Sequence, residues 1–404
     1  MTHGVRRVLL ADADAFFVAV ARMVDPETAG RAPLLIVGGA RDSRGVVCSA
    51  SYETRKYGVR SAMPIAWALR LCPEAVCVPV PRAACGEKSR EIRAVLERFA
   101  PIVEGASIDE WYLDLGGTES LYQHEPLAAT AERIRQHVER DTGLTVSIGG
   151  GTNKLIAKLA VEFAKPKHGA TGVHVVASGE ELAFMRGLAL ADIPMIGPKF
   201  QERLAKLGMT RVADVLPYER ETLAQWLGTR EAEWLYARVR GVDERPVAER
   251  EEAKSISRDE TFPQDIDDTA VLEAELLRLV VRAAADLRGD GITARTITVR
   301  IRDHDFKNRS AAHTLTEPVM SDRVIYAEAK SLLHKLRAAR RVPARLLSVG
   351  LSSLAEHPDA DQFTLFDGED DGSLETDKDR TVARTVDQLR AKFGVKAVLP
   401  GKLT

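Results

Sequence analysis

Two acidic stretches decide the fold of this chain, VLLADADAFF at residues 8–17 and SIDEWYLD at residues 107–114. In each, an apolar strand adjoins carboxylates, and neither stretch contains a lysine or an arginine. Crowded carboxylates are costly unless a cation offsets their charge. If Asp12, Asp109 and Glu110 lie side by side, we expect a hard divalent ion with oxygen ligands, above all Mg²⁺. A single D-x-D motif is more often a loop or a helix cap, so the interpretation depends on basic residues elsewhere.

Length, composition and cysteine spacing predict a multidomain cytoplasmic protein. At 404 residues the chain exceeds the ~250–300 residues that one core usually supports. The four cysteines show no C-x-x-C spacing, which favours reduced thiols over disulfides or a zinc site. The N-terminus runs straight into a strand and no apolar run reaches ~18 residues, so we expect neither a signal peptide nor a membrane span.

The net charge of −2 hides an uneven distribution. Residues 288–345 contain thirteen Lys and Arg against six Asp and Glu, whereas residues 346–377 contain nine acids and no Lys or Arg. This pattern predicts a polyanion-binding segment followed by a solvated acidic tail. A solvated surface would explain the basic segment equally well.

The run SYETRKYGVR at residues 51–60 predicts a short helix closed by Gly58. Tyr52 and Arg55 are three residues apart and therefore share one face. Arg55 can fork onto a phosphate while Tyr52 donates to another oxygen. An ordinary surface helix is the alternative.

Further along, strands alternate with helices, which suits an α+β fold with helices on one face of a sheet. We interpret Gly149-Gly150-Gly151 as a turn between a strand at 144–148 and a helix at 153–163. Its spacing is not that of a P-loop, so Lys154 is not a Walker lysine. A last helix is predicted at 380–393, with Val382, Val386, Leu389 and Phe393 on one apolar face.

Seven motifs, in order along the chain, resemble those of the Y-family, lesion-bypass DNA polymerases, most closely the bacterial DNA polymerase IV branch. They are D-x-D-x-F-F, S-Y-E-x-R-K-Y-G-V, S-I-D-E-x-Y-L-D, N-K-x-x-A-K with A-K-P, I-G-P-K, K-S-I-S-x-x-E-T-F and Q-x-x-L-F. The resemblance implies an α+β right-hand polymerase with palm, fingers, thumb and a separate little-finger domain. The implied bounds are 1–180 for palm and fingers (fingers about 25–80), 181–244 for a helical thumb with a helix-hairpin-helix, 245–253 for a linker, 254–355 for the little finger and 356–404 for an acidic tail.

The resemblance also implies the roles of the acidic residues. Asp12 and Asp109 would bridge two Mg²⁺ ions, for which Mn²⁺ could substitute. Glu110 would serve the primer-side metal, and the carbonyl of Ala13 would complete the nucleotide-side metal. Asp14 is not a ligand in the family pattern.

Nucleotide binding is implied at a second set of residues. Tyr52, Arg55 and Lys165 would hold the triphosphate, helped by the amides of Phe16 and Phe17. Phe17 would also be the sugar gate that excludes ribonucleotides. Val46 and Cys48 would form a small roof over the nascent base pair, a feature that implies low fidelity.

The implied function is error-prone translesion synthesis on primer-template DNA with dNTPs, by a monomer of the cytoplasm with no membrane association. Gln362, Leu365 and Phe366 match a peptide that binds the sliding clamp. Two departures from the family pattern are Trp111, where a small residue is usual, and the glycine-rich run at 149–151.

Two other classes of protein agree less well with these motifs. A non-catalytic accessory protein with this fold would lack the acidic residues, and all three are present. A nucleotidyl cyclase would need no thumb hairpin, little finger or Q-x-x-L-F motif.

Overall fold

A computed structural model describes residues 6–166, 171–249, 253–356, 374–394, 397–398 and 401. The chain divides into two compact units, Met1–Glu251 and Glu252–Thr404. The predicted clamp-binding residues 362–366 lie outside the described residues. Within the described part of the chain, the helices are too short or too polar to span a membrane.

The first unit contains two sheets followed by small helices. Its strands are β1 Val8–Ala13, β2 Leu35–Gly38, β3 Val47–Ala50, β4 Val76–Pro79, β5 Ile102–Gly105, β6 Glu110–Asp114, β7 Val146–Gly151 and β8 Val173–Val175. Its helices are α1 Phe16–Val24, α2 Tyr52–Arg55, α3 Ile65–Leu71, α4 Arg82–Leu96, α5 Leu127–Thr142, α6 Lys154–Ala164, α7 Glu181–Arg186, α8 Pro198–Lys206, α9 Val212–Val215, α10 Arg220–Leu227 and α11 Thr229–Val239. The larger sheet has the order β5-β6-β1-β7-β8, and the smaller has the order β3-β2-β4.

The central strand β1 is buried at every residue, and this burial corrects the expectation of helices on one face. Leu9 and Ala11 pack in a core with α4 and α5, whereas Val8 and Leu10 pack against α6. A strand that is apolar on both faces must be covered on both faces. The helices of this sheet therefore form two layers, one on each side.

The interpretation of the three glycines as a turn is wrong, because Gly149, Gly150 and Gly151 are the last residues of strand β7. A Cβ atom on Gly149 would lie 2.2 Å from the backbone nitrogen of Val161 in α6. Glycine is needed here for close approach of a helix to a strand, rather than for a change in chain direction. The run therefore fixes the depth at which α6 rests on the sheet.

The predicted linker at 245–253 begins with residues that pack on the first unit. Val247 is buried together with Val8 and Leu10. The backbone nitrogen of Ala248 donates to Oε2 of Glu104 at 3.0 Å. The part of the linker that the structure describes, up to residue 249, is therefore held against the sheet.

The second unit is a four-stranded antiparallel sheet, β11-β10-β12-β9, packed against two long helices. Its elements are β9 Ser255–Ile266, α12 Thr269–Gly289, β10 Ile292–Asp303, β11 Asn308–Val319, α13 Asp322–Ala339, β12 Ala344–Glu356 and α14 Asp377–Phe393. Ile297, Val299 and Ile301 alternate along β10 and are buried in the core. The side chains of this strand therefore follow the period of two of a β-strand with one face in the core.

Helix α14 attaches to the second unit through charged residues, contrary to the expected apolar face. Arg288 pairs with Asp387 at 2.6 Å, and Arg323 pairs with Asp379 at 2.6 Å. Val382 and Phe393 remain 54% and 63% exposed. The apolar periodicity identified the helix correctly but not the face that it buries.

Candidate active site

The antiparallel pairing of β1 and β6 brings the acidic residues to one edge of the sheet. Asp12 near the end of β1 lies opposite Glu110 at the start of β6. The backbone nitrogen of Ala13 donates to the carbonyl oxygen of Asp109 at 2.9 Å. In the second stretch the carboxylates lie at the beginning of the strand rather than at its end, and in an antiparallel pair this places both acidic stretches at the same edge.

One cavity gathers most of the predicted site residues. Its lining consists of Asp12, Ala13, Ala15, Phe16, Phe17, Cys48, Ser49, Tyr52, Arg55, Ser61, Asp109, Glu110 and Lys165. Of the predicted site residues that the structure describes, Val46 is not part of the lining. Val46 is instead bridged to Pro64 beside the cavity and is 46% exposed.

Three lining residues were not identified from the sequence, Ala15, Ser49 and Ser61. Ala15 has φ of 45°, a left-handed conformation that turns β1 directly into α1. An alanine gives no sequence signal for such a turn. Ser61 donates from Oγ to the carbonyl oxygen of Cys48 at 3.0 Å, and its position depends on tertiary pairing.

Two lysines from the α6 region pair with the acidic residues, although neither acidic stretch contains a base. Lys165 Nζ lies 3.0 Å from Oδ2 of Asp12 and 2.8 Å from Oε1 of Glu162. Lys158 Nζ pairs with Oε1 of Glu110. The cations that the crowded carboxylates require are thus partly supplied by the chain itself.

Burial dominates the electrostatics of Asp12. Desolvation raises the pKa of Asp12 above its ordinary value, and the attraction of Lys165 offsets only part of this effect. Burial opposes the charge of Lys165 as well, but Asp12 and Glu162 outweigh it, so that the pKa of this ammonium is raised. Asp12 and Lys165 therefore each stabilise the charged form of the other against the cost of burial.

Asp14 lies apart from this arrangement and is bonded inside the sheet. Its Oδ1 accepts from Oγ of Ser147 at 2.7 Å, and its backbone nitrogen donates to the carbonyl oxygen of Thr145 at 3.0 Å. Burial raises the pKa of Asp14. These contacts agree with leaving Asp14 out of the ligand set.

The predicted short helix α2 begins where the sequence indicates. Ser51 caps it by accepting from the backbone nitrogen of Thr54 at 3.3 Å. The guanidinium of Arg55 lies 5.0 Å from the ring centroid of Tyr52, so the two side chains share one face as predicted. Arg55 also donates from Nε to the carbonyl oxygen of Ala50 at 2.9 Å.

Phe17 is half-buried at the cavity, with its ring edge-on to Phe16 at a centroid distance of 5.5 Å. Trp111, the unusual residue beside Glu110, is only 2% exposed and packs in the core beneath α4 and α5. Adjacent residues of a strand point to opposite faces. Trp111 is therefore a core residue on the face away from Glu110.

The types of donor at this edge fit a hard divalent cation. Asp12, Asp109, Glu110 and the carbonyl of Ala13 offer oxygen atoms to one cavity. Over the described ranges, however, no group of three or more His, Cys, Asp or Glu side chains is gathered closely enough to hold a metal ion. The donor set suits Mg²⁺. In this structure Asp12 and Glu110 pair with lysines, and Oδ1 of Asp109 accepts a hydrogen bond from Oγ of Ser107.

The basic stretch of the second unit is less available than its charge suggested. Arg288 is 4% exposed and binds Asp322 and Asp387, while Arg309 and Arg340 both pair with the buried Asp303. On the other face of β10, Arg300 pairs with Asp259 at 2.6 Å and stays 46% exposed. Much of the positive excess therefore holds the unit together.

Comparisons with known proteins agree over nearly the whole chain. Residues 11–162 match the impB/mucB/samB family, and residues 253–365 match the C-terminal domain of that family. A protein of Dehalococcoides mccartyi named DNA polymerase IV is 35% identical over 403 residues, covering 99% of this chain and 98% of its own. One from Desulfatibacillum aliphaticivorans with the same name is 36% identical, covering 98% and 96%.

Solved structures give the same result. A Y-family DNA polymerase chimera superposes with a TM-score of 0.76 at 26% identity, covering 87% of this chain and all of its own. The crystal structure of DinB from Sulfolobus solfataricus superposes with a TM-score of 0.57 at 28% identity, covering 86% and 98%.

Proposed function

Because the chain belongs to the Y family of lesion-bypass DNA polymerases, on the DNA polymerase IV branch, we propose that it extends a primer with dNTPs on a DNA template. The observation that carries this proposal is the register of β1 with β6, which puts Asp12 opposite Glu110 in the cavity lined by Tyr52, Arg55 and Lys165. Carboxylates for metals and cations for a triphosphate then face one another across a short distance.

We propose that Asp12, Asp109, Glu110 and the carbonyl of Ala13 hold two Mg²⁺ ions, with Mn²⁺ as a possible substitute. Two such cations would lower the pKa of an attacking hydroxyl and would neutralise charge on a leaving pyrophosphate. Asp12 is only 7% exposed, so its charge is poorly screened by water and strongly favours a bound cation.

Lys165 would change partners when substrates bind. Lys165 pairs with Asp12 in this structure, and a triphosphate would attract the same ammonium. We propose that Lys165 then moves to the phosphates, beside Arg55 and Tyr52, and leaves Asp12 to the metals. The exchange keeps the local charge balanced at each stage.

The roof and the gate of the nucleotide site support low fidelity with sugar selection. Cys48 is a small, exposed lining residue, and Val46 lies just outside the lining. A small roof leaves room for damaged bases and rejects fewer mispairs. Phe17 lines the same cavity after the turn at Ala15, which supports the proposal that its ring excludes a 2′-hydroxyl.

A primer-extension assay tests the proposal directly. With Mg²⁺ and dNTPs, the full chain should add template-directed nucleotides to a primer, including opposite a damaged base, and misinsert often on undamaged DNA. Cyclic nucleotide formed from an NTP alone would favour a cyclase. DNA binding without extension in Mg²⁺ or Mn²⁺ would favour an accessory protein.

A second proposal concerns recruitment by the sliding clamp through Gln362, Leu365 and Phe366. Two aromatic residues and a leucine among many acids are more typical of a docking peptide than of a core. Replacing Leu365 and Phe366 with alanine should remove stimulation by the clamp and spare activity on bare primer-template. Unchanged clamp binding in a pull-down would contradict this proposal, and would favour docking of the motif on its own domain.

We also propose that the protein acts as a monomer in the cytoplasm, without membrane association. Light scattering of the purified chain, with and without primer-template, would reveal a stable dimer if one forms.

A further inference from the structure

The smaller sheet of the first unit carries an exposed apolar patch, of which the proposed function uses only Val46. We name this the fingers patch and define it by Val46, Tyr57, Trp67 and Leu71. These side chains are 46%, 53%, 57% and 37% exposed. Contiguous exposed apolar surface on a soluble protein commonly marks an interaction site.

Backbone hydrogen bonds and helical spacing connect the segments that carry the fingers patch. Val46 is bridged to Pro64, and the backbone nitrogen of Trp67 donates to the carbonyl oxygen of Pro64 at 2.9 Å. Leu71 follows Trp67 by four residues in α3 and therefore shares its face. Cδ1 of Leu71 lies 3.8 Å from where a Cβ on Gly58 would be, next to Tyr57.

The charges around the patch favour a polyanion. Residues 39–72 contain six Lys and Arg against two Asp and Glu. Among them Lys56, Arg60 and Arg70 are exposed. Exposed aromatic rings among basic side chains are typical of surfaces that bind single-stranded nucleic acid, where bases stack on rings and phosphates meet cations.

The patch is also continuous with the edge of the candidate active site. The backbone nitrogen of Val47 donates to the carbonyl oxygen of Met63 at 2.8 Å, and Ser61 bonds the carbonyl of the lining residue Cys48. The segment leading to Trp67 is thus hydrogen-bonded to the strand that would cover the nascent base pair. The patch therefore lies next to the strand that carries the proposed roof residue Cys48.

We propose that the fingers patch is a stacking platform for the single-stranded template beyond the nascent base pair, with Trp67 as its main contact. This inference rests on the proposed polymerase function and adds a template-binding surface to it. Because every base has a stacking face, the contact should be insensitive to sequence. It should also act before chemistry, by positioning the unpaired template strand.

The test compares two primer-templates, one with several unpaired template nucleotides and one with only the templating nucleotide. The wild-type chain should bind the longer overhang more tightly. Trp67→Ala should weaken that binding about 5-fold or more, the effect of losing ~1 kcal/mol of stacking, and should leave affinity for the short overhang unchanged. Trp67→Phe should keep most of the preference, because a smaller ring still stacks.

Trp226→Ala is the matched control, because Trp226 is 42% exposed on α10, away from this patch. It should keep the preference for the longer overhang. A Trp67→Ala variant that retains the full preference would overturn the inference and assign the patch to a protein partner. Failure of the wild-type chain to extend any primer would instead overturn the proposed function, so the two failures are distinguishable.

Discussion

The acidic edge of the first unit and the basic segment of the second both contain ion pairs. The pairs differ in whether their members bind a further ligand in the proposed reaction. At the acidic edge, Lys165 and Asp12 each have a further partner in the proposed reaction, a triphosphate for one and a metal for the other. In the second unit, the side chains of Arg288 and Asp303 are only 4% and 0% exposed, and each forms ion pairs with residues of the same unit. A count of charges in the sequence gives no means of separating these two cases.

The difference shows that the partner of a charge matters more than its number. An ion pair between two groups that each need another ligand can be exchanged when that ligand arrives. An ion pair buried in a unit is costly to open, because one partner is left charged without compensation. The first kind suits a site that binds and releases, and the second suits a scaffold.

The largest effect on activity is expected when a carboxylate is removed from the acidic edge. Asp109→Ala or Glu110→Ala should lower extension about 10³-fold or more while leaving DNA binding nearly intact, because a metal ligand acts mainly in the transition state. Single-turnover extension and a binding titration measure the two effects. Asp114→Ala, at the opposite end of β6, is the control and should stay active. Near wild-type turnover of both acidic-edge variants in Mg²⁺ would refute the assignment.

Discrimination between ribonucleotides and deoxyribonucleotides should also depend on a residue of the first unit. Phe17→Ala should raise ribonucleotide incorporation by about two orders of magnitude and change dNTP use modestly, because a packed ring cannot yield to a 2′-hydroxyl. Incorporation of NTPs and dNTPs is measured beside a melting curve. A loss of stability together with both activities would show that Phe17 is simply a core aromatic.

In the second unit, a buried arginine should affect stability rather than DNA binding. Arg288→Met should destabilise the protein by about 3 kcal/mol, since Asp322 and Asp387 lose their shared partner. Chemical denaturation gives the free energy of unfolding, and a titration without denaturant gives the DNA affinity of the folded protein. If Arg288→Met lowers DNA affinity and leaves stability unchanged, the pairing described for Arg288 is not its role.

The smallest effect is expected on the open face of the second unit. Arg300→Ala should weaken primer-template binding a few-fold, equally for all sequences, and lower the slope of log affinity against log salt by about 1. Because Arg300 already pairs with Asp259, the loss should be smaller than for a free surface arginine. A sequence-dependent loss would show that Arg300 reads bases rather than phosphates.

Local patterns predicted the elements of this fold well. Strand β1 and the start of α2 after its cap Ser51 follow from an apolar run and from capping, which neighbouring residues determine. The positions of Asp12 and Glu110 at one edge were expected from the acidic stretches together with the family resemblance. Their register depends on the pairing of β1 with β6, which no local pattern specifies.

Contacts between residues far apart in the chain could not be predicted from local sequence patterns. Arg288 and Asp387 are 99 residues apart in the chain, so counting charges in a window treats a structural arginine as a free one. Lys165 and Lys158 reach the acidic edge because α6 packs on the face of the sheet that Val8, Leu10 and Asp12 share, and no local pattern specifies that. The glycines of β7 were misinterpreted for the same reason, since their close neighbour is a helix that follows them.

The glycine at position 149 has a consequence for how this protein tolerates mutation. Any side chain there would collide with the backbone of α6, the helix that carries Lys158, and backbone cannot move aside as a flexible side chain can. Gly197, by contrast, has open space around its missing Cβ and an ordinary φ of −76°. A saturation library selected for activity should therefore keep glycine alone at 149 and accept many residues at 197, although the two positions look alike in the sequence.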